Sequence, residues 1–270
     1  MRNFFDIKSK VVLITGGTGV LGGCMAEYLA EQGAKVVILA RNEANGQKLV
    51  DSIQAKGNDA FFVKSDVNNE AVLRENAATI LAKYGTIDVL VNGAGGNMPG
   101  ATIPPDKSFF NLNINDFKTV VDLNLFGTVI PTMVFGEVMA QNKKGVIINI
   151  SSESAIRPLT RVVGYGVAKA AVTNFTKYLA IELATKYGEG LRVNALAPGF
   201  FISEQNRTLL TNADGTLTAR GNTIVSHTPF GRFGEPDELL GTLHYLASDA
   251  SKFVTGTMIV VDGGFDAFCI

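Results

Sequence analysis

Tyr165 and Lys169 stand four residues apart in an apolar, helix-patterned stretch, and Ser152 precedes the tyrosine by thirteen residues. On a helix that spacing puts both side chains on one face. An ammonium beside a phenol favours the phenolate and lowers the tyrosine pKa, which makes it a usable proton donor near neutral pH. Ser152 closes the run Ile148-Asn149-Ile150-Ser151-Ser152, which reads as a strand end, where a hydroxyl can polarise a carbonyl. A lone Tyr-x-x-x-Lys is usually a surface helix pair. The strand-end serines, together with a glycine-rich loop upstream, favour the chemical reading.

That loop is Thr15-Gly16-Gly17-Thr18-Gly19-Val20-Leu21-Gly22, between a β-branched apolar run and a helical pattern. Glycines there permit a tight turn, let backbone approach a pyrophosphate, and present the free N–H groups of the helix start to it. Asn92-Gly93-Ala94-Gly95-Gly96 follows another short apolar run, and two such loops on one sheet edge favour a dinucleotide crevice over a bare turn. A carboxylate after the second strand would hold the ribose 2′-hydroxyl of NAD, and an arginine would accommodate the 2′-phosphate of NADP. Here Ala40-Arg41-Asn42 offers no carboxylate and one planar cation, so NADP(H) is favoured, with NAD(H) the alternative if Arg41 is merely a solvated charge. Asp66 either accepts from the adenine amino group or caps a helix.

These groups need a scaffold that brings strand ends together. Short apolar runs without in–out alternation (11–15, 36–39, 61–63, 89–91, 146–150, 193–196 and 258–261) alternate with helical patterns at 19–32, 42–56, 69–83, 115–142, 165–187 and 237–247. The helix over 115–142 carries an interruption near 124–127, and 96–112 reads as loop. Strands covered on both faces imply an α/β fold: one doubly wound (Rossmann) domain over 1–270, with about seven parallel strands and helices on both faces. The stretch 199–234 has no strand pattern and follows a strand end, so it reads as a substrate lid.

Composition narrows the setting. Apolar residues make up 46% and the net charge is −1, which argues against disorder and against a basic field for nucleic acid or anionic membrane. Two cysteines and two histidines offer no disulfide framework and no zinc set, so no metal is expected. No apolar run approaches a membrane span and no secretory leader is evident, so a reduced, cytoplasmic setting is expected.

As a set, these pieces resemble the short-chain dehydrogenase/reductase family over nearly the whole chain. Asn124 in Asn-Leu-Phe-Gly, Arg192-Val193-Asn194, Pro198-Gly199 and Asp262-Gly263-Gly264 extend the match. The resemblance implies that Tyr165 is the general acid/base, that Ser152 orients a carbonyl, and that Lys169 binds the nicotinamide ribose and tunes Tyr165. Asn124 would anchor a proton-relaying water chain. The cofactor would lie against Gly16, Thr18, Gly19, Val20, Leu21, Gly22, Arg41, Asn42, Asp66, Val67, Asn92, Gly93, Ala94, Tyr165, Lys169, Pro198, Gly199, Ile202 and Ser203. Two departures stand out: Val20 replaces the family's middle glycine, and Gly93 replaces its second loop asparagine.

Several segments, among them Pro198-Gly199-Phe200-Phe201 and Gly231-Arg232-Phe233-Gly234, are similar to the D-mannonate oxidoreductase (fructuronate reductase) branch. This implies hydride transfer with a sugar acid, most simply D-fructuronate to D-mannonate. Gluconate 5-dehydrogenase, a 3-oxoacyl-thioester reductase and a non-catalytic NADP-binding sensor are the alternatives. A sugar acid needs a cation and several amide or hydroxyl partners. Arg157, Arg161 and Arg207, with Asn97, Ser154, Gln205 and Asn206, are the candidates; an arginine alone is more often a solvated surface charge, and at least one of the three is expected to serve the carboxylate. Related proteins imply a homotetramer, with the apolar tail 265–270 buried at an interface or folded back on its own subunit.

Overall fold

The computed structural model describes residues 3–202 and 204–269, with backbone alone for 204–206. Its elements are β1 (Val11–Thr15), α1 (Val20–Glu31), β2 (Lys35–Ala40), α2 (Glu43–Ala55), β3 (Ala60–Lys64), α3 (Glu70–Tyr84), β4 (Val89–Asn92), α4 (Ile114–Val121), α5 (Gly127–Gln141), β5 (Gly145–Ile150), α6 (Val163–Tyr187), β6 (Leu191–Pro198), α7 (Glu204–Leu210), α8 (Ala219–Ser226), α9 (Leu240–Ala247) and β7 (Met258–Val261). The strands form one parallel sheet in the order β3-β2-β1-β4-β5-β6-β7.

Lack of alternation in the strands follows from burial on both faces. Val12 and Ile14 of β1 pack into a core with Met25 and Leu29 of α1, Ile53 of α2 and Leu243 of α9. Their neighbours Val11 and Leu13 pack into a second core with Leu73 and Ile80 of α3 and Phe135 and Met139 of α5. Successive residues of β1 therefore enter one core and then the other, which leaves no solvent face for a polar side chain along that strand.

The sequence expectation of one interrupted helix over 115–142 resolves into α4 and α5 joined by a π-turn at Asp122–Phe126. Such a turn inserts one residue into the helical repeat and re-aims the side chains within it, here Asn124. The expectation that no apolar run approaches a membrane span needs correction. Ile114–Gln141 is long and apolar enough to cross a membrane by length and composition, and half of its apolar window is buried inside the fold. Those apolar residues, Val134, Phe135 and Met139 among them, are spent on the sheet.

The stretch 199–234 is not featureless. It contains α7 and α8, a short bridge between Thr211 and Leu217, and a small apolar cluster of Leu210, Ile224 and Phe233 with Phe200 and Ile202 against it. The C-terminal tail folds back on its own subunit: Phe265 stacks edge-on with Phe200 at 5.1 Å, and Phe268 meets His227 at 6.3 Å.

The strand order reverses between β1 and β4, which is where doubly wound sheets open a ligand crevice. A buried polar ladder fixes the strand ends there. Asn92 Nδ2 donates to Thr132 Oγ1 and to Asn149 Oδ1, both at 2.8 Å, and Asn149 Nδ2 donates to Thr176 Oγ1 at 2.9 Å. Removing the middle amide leaves buried partners unpaired, so Asn149→Ala is expected to cost about 2–3 kcal/mol in urea unfolding. A loss below about 0.5 kcal/mol, the size of an ordinary surface substitution, would show that the ladder does not hold the sheet edge.

Candidate active site

The loops after β1 and β4 touch through bare backbone. A Cβ on Gly16, which sits at φ +67°, would lie 2.8 Å from Ala94 Cα, and one on Gly22 would lie 2.4 Å from Gly16 O. Thr15 Oγ1 accepts from the amides of Gly93 (3.1 Å) and Ala94 (3.2 Å), locking the second loop to the first strand. Helix α1 starts at Gly19 with no side-chain cap and no acidic residue in its first turn, so its amides stay open to an anion. Val20, in place of a glycine, is partly exposed at the helix start.

A cleft of about 690 Å³ runs from these loops along the strand ends. Gly16, Thr18, Gly19, Val20, Leu21, Gly22, Arg41, Asn42, Asp66, Val67, Gly93, Ala94, Ser152, Ser154, Tyr165, Lys169, Pro198 and Gly199 all line it. Arg41 is exposed at its far end. Asn42 Oδ1 caps α2 by accepting from Asn45 N at 3.0 Å. Asp66 Oδ1 accepts from Asn68 N at 3.0 Å, a turn just before the Asn69 cap of α3.

Helix α6 is registered onto the end of β5 by one stripe of side chains at helical spacing. Lys169 Nζ donates to Ile150 O at 2.7 Å, Thr173 and Ser151 hydroxyls meet at 2.7 Å, and Thr176 takes the Asn149 amide. One turn before Lys169, the same stripe carries Tyr165, whose ring centroid is 5.5 Å from Lys169 Nζ and whose hydroxyl bonds with Ser152. Ser152 Oγ also accepts from Ser154 N at 3.2 Å.

The electrostatics differ from the sequence expectation. Burial pushes the Tyr165 phenol up, not down, with the Ser152 hydrogen bond pulling the other way. Burial also lowers Lys169, 3% exposed, to about 8. Desolvation acts against the charged form of each group, so the pair carries less charge than the spacing alone implied. The phenol is held protonated, a state suited to donating a proton.

Several expected site residues fall elsewhere. Asn92 is buried in the ladder beneath the cleft. The Asn124 amide group is fully buried and bonded to Gly96 N, Gly96 O and Val120 O, so it clamps the β4 loop. The Ile202 N–H, expected to reach a cofactor, donates to Gly234 O at 3.1 Å. Asn97 is exposed and bonded to Thr102, and Arg207 is exposed on α7. Arg157 pairs with Asp266 of the tail at 2.8 Å, outside the cleft, because the tail folds back over it, the second of the two placements that the sequence left open. Ser203 and the side chains of Gln205 and Asn206 lie outside the described residues.

Two cleft residues escaped sequence reading. Arg220 of α8 enters from the flap formed by the stretch 199–234, half-buried, and burial together with the Arg161 charge lowers its pKa. Among the described residues no carboxylate is paired with it. Glu153 is 1% exposed and its carboxyl oxygens have no hydrogen-bond partner. A carboxylate directly after the strand-end serines was a visible signal for Glu153; no sequence pattern marked Arg220.

A parallel sheet with glycine loops at its switch point and a Ser–Tyr–Lys set at the next strand end defines a nicotinamide-dependent oxidoreductase of the short-chain type. The chain belongs to the short-chain dehydrogenase/reductase family: residues 19–266 match the family pattern described as enoyl-(acyl carrier protein) reductase. It is 43% identical to an uncharacterized oxidoreductase, UxuB, of Bacillus subtilis, over 97% of each chain. It superposes on a candidate D-mannonate oxidoreductase from Haemophilus influenzae with bound NAD at TM-score 0.93, with 39% identity over 98% of this chain and 97% of that one. A gluconate 5-dehydrogenase from Burkholderia cenocepacia in complex with NADP and tartrate gives TM-score 0.87 and 32% identity over 98% of both chains.

The cradle fits such a cofactor: its glycines leave no room for side chains, its helix start is uncapped, and its cleft is continuous with Tyr165. A lysine lowered to about 8 binds fewer protons folded than unfolded between pH 8 and 10.5, so stability rises with pH through that window. Below it the buried cation costs on the order of 3 kcal/mol. Lys169→Met is therefore expected to raise urea stability of the cofactor-free protein at pH 7, with the gain fading towards pH 10.5. A variant less stable than wild type at pH 7 would show that the Ile150 bond outweighs desolvation.

Proposed function

We propose that the protein interconverts a ketone and a secondary alcohol of a sugar acid, reducing D-fructuronate to D-mannonate reversibly, with NADP(H) preferred. The observation that carries this reading is Arg220: a guanidinium in the same cleft as Tyr165, beside a second cation and without an acidic partner among the described residues. Such a group asks for an anionic ligand, and a carboxylate matches its fork. Arg161, at φ +77°, supports it from the loop before α6. Leu159, Val162 and Phe200 line the same cleft as the apolar wall. The gluconate 5-dehydrogenase neighbour supports the sugar-acid class, and the exposed Arg41 supports the 2′-phosphate.

A nicotinamide cofactor supplies the hydride to the carbonyl carbon, or accepts it in the reverse direction. Tyr165 gives its phenolic proton to the carbonyl oxygen, so the ketone becomes CH–OH without a free alkoxide. Ser152, fixed by Ser154 N, donates to the same oxygen and holds the carbonyl in line. Lys169 stabilises the phenolate that remains, and Gly16, Gly22 and Gly93 are the bare backbone that would hold the pyrophosphate of a bound cofactor. Asn124 acts through Gly96, by fixing the loop that faces the nicotinamide end.

A homo-oligomer belongs to the same proposal. A groove between α5 and α6, lined by Met133, Ala140, Phe175, Leu179 and Leu183, offers an apolar face to a second copy. Light scattering that reads a monomer at micromolar concentration would remove that part.

Initial rates with NADPH and NADH on D-fructuronate, 5-ketogluconate and a 3-oxoacyl thioester test the reaction. Fructuronate is expected to be preferred, Tyr165→Phe to abolish turnover with cofactor binding nearly intact, and Arg220→Met to raise KM for the sugar acid about tenfold or more. Arg41→Ala should raise KM for NADPH by a similar factor and leave NADH nearly unchanged. Turnover by Tyr165→Phe, or thioester preferred over both sugar acids, would overturn the reading.

A further inference from the structure

Glu153 follows Ser152 directly and lines the same cleft, yet the hydride-transfer chemistry gives it nothing to do. It is 1% exposed, and neither carboxyl oxygen has a hydrogen-bond partner. The next side chain, Ser154, lines the cleft too, and its buried hydroxyl is equally unpartnered. An unsatisfied buried carboxyl is costly, and these three unpartnered polar atoms belong to two successive residues that line the cleft. We propose that Glu153 and Ser154 form a hydroxyl-binding subsite, in which the neutral carboxyl and the serine hydroxyl bond a substrate hydroxyl on a carbon near the reacting carbonyl.

The surroundings keep that carboxyl neutral. Asp262 and Asp266 face it from the segment after β7, and Arg157 faces it from its own loop. Arg157 is already committed to Asp266, while the Asp262 carboxylate accepts from Gly264 N and Asp266 N. Burial first, then the two aspartates, push Glu153 up to about 7, against the opposing pull of Arg157. Below that pH the group is a COOH, with one donor and one acceptor for an alcohol. Above it, the carboxylate can no longer donate, and its charge repels a substrate that is itself an anion. A substrate hydroxyl would supply the donor and acceptor that these buried groups lack in the protein.

This deepens the sugar-acid reading and rests on it for the identity of the hydroxyl. The kinetic test compares 5-ketogluconate with levulinate, a keto acid that has a carboxylate and a ketone but no hydroxyl. Glu153→Leu is expected to lower the ratio of kcat/KM for 5-ketogluconate to that for levulinate about tenfold or more, chiefly through KM. Glu153→Gln, which keeps a neutral donor and acceptor, should hold that ratio within about threefold of wild type. Wild-type kcat/KM for 5-ketogluconate should fall above about pH 7, and the fall should be missing in Glu153→Gln. Equal losses on both ketones in Glu153→Leu would mark a purely structural residue and overturn the subsite.

Infrared difference spectra read the group itself, whatever is turned over. At pH 6, wild type minus Glu153→Gln should show a protonated-carboxyl stretch that shifts when D-mannonate or D-gluconate joins the NADP-loaded protein. No such band, or a band indifferent to both sugar acids, overturns the proposal. A shifted band without reduction of any hydroxylated ketone supports the subsite and counts against the proposed reaction alone.

Discussion

Everything at this site depends on the ends of β1, β4 and β5 being held level. Thr15, Asn92 and Asn149 are successive partners across those three strands. Thr15 takes the two amides that start the β4 loop, Asn92 is pinned to Asn149, and Asn149 reaches Thr176 on α6. From Thr176 the stripe runs back through Thr173 and Lys169 to Tyr165, each a turn from the next and each bonded to β5 or to the two serines that follow it. The tyrosine is therefore placed by a ladder that begins two strands away. Slipping α6 by one residue would rotate the stripe by about 100° and take every one of these contacts with it.

The same burial that positions the side chains works against their charges. Lys169 is lowered and Glu153 raised, both chiefly by desolvation, so cation and carboxyl alike are driven towards neutrality. Arg220 is lowered for the same reason and has a second cation, not an anion, beside it. None of these arrangements favours the empty fold. Together they describe a cleft whose polar groups are not all completed by the protein itself, which is the sense in which a binding site is under-satisfied without its ligands.

Sequence periodicity located every strand and helix of the sheet scaffold, because doubly buried strands and amphipathic helices are local patterns. It also found Tyr165, Lys169 and Ser152, whose spacings are local too. It failed where a long-range contact decided the outcome. Arg157 looked free until the tail supplied Asp266, and Asn92 looked like a loop residue until its strand register put it beside Asn149. Asn124 carried a family role, but the π-turn aims its amide at Gly96 and Val120. The Tyr165 phenol moved opposite to expectation, since spacing reveals a neighbour's charge and says nothing of the water removed from both.

The two ends of the cleft are built on different principles, and this bears on how specificity can change. At the cofactor end the walls are backbone: Gly16 against Ala94, and Gly22 against the Gly16 carbonyl, where even one added carbon has no room. At the other end they include side chains on a flap with its own small core of Leu210, Ile224 and Phe233, strapped by Phe265 and the Arg157–Asp266 pair. A substitution in the flap or the strap alters which groups meet the substrate without disturbing the ladder that sets Tyr165. Relatives can thus share the ladder and the cradle yet differ in the flap, which leaves the substrate end free to change while the cofactor end is held by its backbone walls.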